Sequence, residues 1–98
     1  MINYYLKNQD EAEFDGLMLL TGLGMKTDDG VMPASYEVLI DKIGSITIWD
    51  YSVEPPISTT YPEFYSNVRL MFEPSNGQVT ALTAYAVDPS QPQYREWA

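Results

Sequence analysis

The chain has 98 residues, enough for one hydrophobic core and too few for two. Five Lys and Arg against fourteen Asp and Glu give a formal charge of -9, which repels phosphate, so nucleic acid and anionic membranes are not expected partners. Without His or Cys, the Ser-His-Asp and Cys-His catalytic arrangements, thiolate zinc sites and disulfides are all excluded.

Residues 1–7 open the chain as a strand, with Ile2, Tyr4 and Leu6 alternating toward the core. Asn8 stands three positions before Glu11, a spacing that predicts a capping box and a helix over 9–21. In that helix Phe14, Leu17, Met18 and Thr21 form one stripe, and Asp10, Glu11, Glu13 and Asp15 put negative charge at the positive end of the helix dipole. Those acids lack the alternating ligands, glycine and closing glutamate of a calcium loop, so no metal is expected there.

Gly22 and Gly24 end the helix, and Thr27-Asp28-Asp29-Gly30 predicts the turn of a short hairpin between 23–26 and 31–32. Gly22-Leu23-Gly24 follows a helix, not a strand, so it is a helix stop and not a dinucleotide fingerprint. Residues 36–49 alternate imperfectly around Gly44, predicting a strand pair or one bulged strand. Residues 50–62 carry Pro55, Pro56 and Pro62, which predicts a long exposed loop.

From Phe64 to Phe72 the alternation is the clearest in the chain and predicts a central strand. A turn over 73–77 follows. Residues 78–87 are read as a hairpin strand or a short helix, the helix being favoured. Residues 88–98, with Pro89 and Pro92, form an extended arm in which Trp97 either tucks into the core or anchors a partner. The expected fold is therefore α+β: one domain over 1–98, a small antiparallel sheet, an N-terminal amphipathic helix and a second short helix near 78–87.

What stands out is the aromatic load, eight Tyr, three Phe and two Trp, more than one small core uses. Tyr and Trp give large contact areas at low entropic cost, so interfaces collect them. The proline-rich segment with Trp49, Tyr51 and Tyr61 is the preferred contact region, against the alternative that its aromatics fold back over the sheet. Partner-binding residues are expected at Trp49, Tyr51, Glu54, Tyr61, Glu63 and Trp97, the aromatics as anchors and the acids as rim charges. No catalytic residue and no cofactor is expected.

Tyr4-Tyr5-Leu6-Lys7 before an acidic helix, Ile43-Gly44-Ser45-Ile46, Tyr65-Ser66-Asn67-Val68-Arg69-Leu70, and the ending from Pro89 through Pro92 and Arg95 to Trp97-Ala98 together resemble small tail-fibre assembly proteins of tailed bacteriophages. Residues 50–62 and Glu96 depart from that pattern. The resemblance implies a chaperone that binds a trimeric tail-fibre polypeptide, and an oligomer within that complex. It also implies a place in the cytoplasm of the infected host, in keeping with an N-terminus lacking a signal-like apolar stretch. A small tail or baseplate subunit of the virion, and an acidic inhibitor of a host nucleic-acid-binding defence protein, are the alternatives.

Overall fold

The computed structural model describes residues 2–88. In chain order the elements are β1 (Ile2–Asn8), α1 (Glu11–Thr21), β2 (Gly24–Thr27), β3 (Gly30–Pro33), β4 (Val38–Asp50), β5 (Ile57–Leu70) and α2 (Asn76–Thr83). The fold is α+β, with a three-stranded antiparallel sheet ordered β1-β5-β4 and a separate β2-β3 hairpin. β5 is central, as its unbroken alternation predicts.

Residues directly opposite one another in a ladder share a face of the sheet. Leu6, Ser66 and Lys42 lie in one such row, and Tyr4, Val68 and Ile40 in the next. That face carries the core: Leu6, Val38, Val68 and Leu70 are buried with Phe14, Leu17 and Met18 of α1, with Leu82 of α2 and with Leu23, which follows α1. Phe14 is fully buried and meets Phe64 with ring centroids 5.4 Å apart. Burying such a ring contributes about 2–3 kcal/mol.

Helix α1 begins later than the sequence spacing implies. Asn8 is the last ladder residue of β1, paired with Phe64, and is not the cap. Asp10 is the N-cap, its carboxylate accepting from the Glu13 amide at 2.8 Å. Glu13 closes the box from two residues farther on, accepting from the Gln9 amide at 3.0 Å and the Asn8 side chain at 3.2 Å. The strand keeps Asn8, so the next acceptor takes over capping. At the other end Gly22 sits at φ 74, the left-handed conformation that stops a helix with little strain.

The β2-β3 hairpin forms where expected, with Thr27 opposite Gly30. Gly24 is needed for close packing: a Cβ there would lie 2.7 Å from the Val31 Cγ1 and 2.8 Å from the Met18 Cβ. Of the two readings of 36–49, the bulged single strand is the one that forms, with irregularities on either side of Gly44 at φ 81.

The long loop over 50–62 is not observed. β5 starts at Ile57, and the connection shrinks to residues 51–56. Pro62 is tolerated because it stands in an irregular stretch: Tyr61 pairs with Ile46 and Tyr65 with Gly44, leaving three residues of β5 opposite Ser45 alone. No ladder bond is asked of its missing N–H. On the other side, β1 pairs only as far as Phe64, two residues beyond Pro62.

The second helix forms but lies upstream of 78–87. Ser75 accepts from the Gln78 amide while the Gln78 side chain accepts from the Ser75 amide, so the expected turn at 73–77 is largely a capping box. After α2, Ala86 bridges Leu6 on the outer edge of β1, with Val87 N–H donating to the Tyr5 carbonyl at 2.8 Å. The expected arm at 88–98, with Trp97, lies outside the described residues except for Asp88. Among the described residues no helix is long and apolar enough to cross a membrane.

Candidate functional site

β4 and β5 outrun the rest of the sheet. β1 stops opposite Phe64, but Ile46–Asp50 continues to pair with residues 57–61. Five paired residues extend this two-stranded arm by about 17 Å. The Cα radius of gyration is 14.8 Å and the extents are 49 × 28 × 23 Å. A compact chain of this length would have a radius of about 13 Å.

The arm is apolar in places where no described element covers it. Its register sets Ile46, Ile48, Tyr61 and Ile57 on one face and Trp49, with Thr47, Ser58 and Thr60, on the other. Ile46 is buried at the root, whereas Ile48, Trp49, Tyr51, Val53 and Ile57 are exposed, Tyr51 by 74%. Trp49 and Tyr51 stack, with centroids 6.2 Å apart and planes at 23°.

The tip has local order of its own. The Asp50 carboxylate accepts from both the hydroxyl and the amide of Ser52, which hold its pKa below the ordinary carboxylate range. Thr47 and Thr60 hydroxyls meet across the ladder at 3.2 Å. Such contacts reduce the rotamer and loop freedom that binding would otherwise remove.

Of the residues expected from sequence, Trp49, Tyr51 and Glu54 come together at the tip. Tyr61 and Glu63 are half-buried nearer the root, and Trp97 is outside the described residues. Sequence reasoning did not single out Ile48, Val53 and Ile57, which the structure leaves exposed on the arm. The β-branched run from Ile57 to Thr60 was the available signal, but the flanking prolines mask it.

Two properties define what the arm can do. Between Lys42 and Arg69 the only charges are Asp50, Glu54 and Glu63, so it is apolar with an acidic rim. Among the described residues the outer edge of β4 pairs with no strand, and residues 45–49 carry no charge and no proline. Natural sheets usually blunt such an edge with Lys, Pro or a covering element.

The acidic cluster in the first turns of α1 has other work. Asp10 and Glu13 form the cap, and Glu11 and Asp15 bind the Lys42 ammonium at 2.8 and 3.2 Å. Burial opposes the charge on Lys42, but the hydrogen bonds to Glu11 and Asp15 outweigh it and raise its pKa. Among the described residues no group of three or more Asp or Glu is placed to hold a metal ion. A groove of about 490 Å³ between α1 and α2, lined by Gly16, Leu20 and Ala81, is a second apolar feature. Comparison with protein-family models, curated proteins and solved structures finds no match.

Proposed function

We propose that this chain is a non-catalytic protein-binding protein that docks through the β4-β5 arm. The observation that carries the reading is the concentration of exposed Ile48, Trp49, Tyr51, Val53 and Ile57 on one protruding hairpin whose β4 edge pairs with no strand among the described residues. An exposed apolar patch rimmed by charge is the usual mark of a docking surface. Stacked Trp and Tyr are the usual anchors within one.

The partner is a polypeptide with an apolar groove or open strand, complementary to the acidic rim of Asp50, Glu54 and Glu63. The sequence resemblance to tail-fibre assembly proteins makes a trimeric tail-fibre polypeptide the specific candidate, with the chain acting as its chaperone in the cytoplasm of the infected host. In that role the arm shields an apolar or unpaired part of the fibre until the trimer forms.

Co-expression with a trimeric tail-fibre polypeptide tests this directly. Soluble trimeric fibre should rise when the chain is present and fall back when Trp49 and Tyr51 are both replaced by Ala. Equal trimer yield with and without the chain overturns the chaperone role. Its recovery in purified virions, with unchanged fibre yield, points instead to a tail or baseplate subunit.

A further inference from the structure

Among the described residues the arm has two open edges, and they are built differently. Beyond the end of β1, the open stretch of β5 at residues 57–61 is bounded by Pro56 and Pro62, with Glu63 next. Prolines and charges in such places keep a further strand from adding. Along β4, residues 43–49 carry neither, in a chain whose formal charge is -9. Short uncharged runs rich in β-branched and aromatic residues are the ones that pair with copies of themselves.

The β4 edge is also complementary to itself. When it meets a second copy antiparallel across a two-fold axis normal to the sheet, every residue keeps its face, so the axis passes through one residue and its counterpart. Ile46–Asp50 runs in register without a shift, and Thr47 lies within that stretch. With Thr47 on the axis, Ile46 stands opposite Ile48 of the second copy and Ser45 opposite its Trp49. Asp50 meets Gly44 and Lys42 meets Ser52, so no charge faces a like charge. The Thr47 and Thr60 hydroxyls, 3.2 Å apart, become half of a row of threonines that crosses both arms. Cross-strand pairs of β-branched residues and of threonines stabilise antiparallel ladders. Ile48 and Trp49, now 38% and 52% exposed, gain cover.

We propose that two copies of the chain pair through their β4 edges about an axis at Thr47, joining two three-stranded sheets into one. This pairing needs no fibre partner, so its failure leaves the docking reading untouched. The interface is small and both chains are acidic, so the dimer is weak and tightens as salt screens their repulsion.

Sedimentation equilibrium of the full chain alone, from about 10 to about 500 µM, should show monomer and dimer in exchange, with more dimer at higher salt. Thr47 is exposed, so Thr47→Lys and Thr47→Glu can each be made at the surface. Each sets like charges face to face and should weaken the dimer at least about tenfold, even though the lysine lowers the net charge. An equimolar mixture of the two variants should recover the dimer, because ammonium then faces carboxylate. A monomer at every concentration overturns the proposal, and so does a dimer that salt dissociates or that both variants leave unchanged. If neither charged variant folds, Thr47→Cys decides, since the chain has no other cysteine. Mild oxidation should link two copies across the axis, and failure to link them overturns the proposal.

Discussion

The Lys42 ammonium lies 2.8 Å from a Glu11 carboxylate oxygen and joins β4 to the first turn of α1, two residues before Gly44, beyond which the strand leads into the arm. The same ammonium reaches Asp15 and lies 5.9 Å from the centre of the Phe14 ring. The root of the arm is thereby tied to the helix layer. Each of these ion pairs is partly exposed, so screening holds its worth to about 0.5 kcal/mol.

Alkaline pH should weaken the fold. The pKa of Lys42 is raised above its ordinary 10.5, because its hydrogen bonds to the acids outweigh burial. Burial, then the charge of Glu63, raises the Tyr65 phenol above its ordinary 10.0. A raised pKa means tighter proton binding in the folded state, so both contributions are whole below pH 10 and are lost as pH climbs through the raised values. Urea midpoints should be flat from pH 7 to 9 and fall above about pH 10, less steeply in Lys42→Met.

Trp49→Ala and Tyr51→Ala should separate binding from folding. Both side chains are exposed, so each change should alter stability by less than about 0.5 kcal/mol. Each should weaken the partner complex by about 2 kcal/mol, roughly thirtyfold. Calorimetric titration and urea unfolding measure the two effects independently.

Asp10→Ala should cost about 1 kcal/mol through loss of the α1 cap. For a domain of this size the melting temperature should drop by about 4–8 °C. Asn8→Ala leaves the Asp10 cap in place and removes a donor to Glu13, at 3.2 Å, together with a buried side-chain oxygen that accepts no hydrogen bond, so its effect should be smaller. Thermal unfolding followed by circular dichroism ranks the pair.

Gly24→Ala should destabilise by about 1–3 kcal/mol, because its Cβ would overlap Val31 and Met18 where the hairpin lies on α1. Gly16→Ala meets nothing within 4 Å and should be neutral or stabilising by up to about 1 kcal/mol, as expected in a helix interior. Chemical denaturation should show a loss of stability in Gly24→Ala and none in Gly16→Ala.

Elements whose local signals agree could be read along the chain. Phe14, Leu17 and Met18 repeat at helical spacing, Phe64 to Leu70 alternate, and Asp28-Asp29-Gly30 makes its turn from local backbone preference. Local signals failed at two places. Two acceptors competed for one cap, and only the length of β1 decided between Asn8 and Asp10. Pro62 argued for a loop, yet a proline breaks a strand only if its missing hydrogen has a partner waiting, and the irregular register beside Gly44 removes that demand.

The candidate site was legible as composition but not as shape. Trp49, Tyr51 and Glu54 stood out as an aromatic and acidic segment, whereas the exposure of Ile48 and Ile57 emerged only when their strands were seen to pass the end of β1. The sequence by itself determined an α+β domain, its acidity, its lack of His and Cys and the identity of its central strand, because these depend on composition and short-range periodicity. Only the tertiary structure decided which apolar residues stay exposed and which charges are already paired. Those outcomes depend on how far one strand runs beyond another, and no local window of residues contains that length.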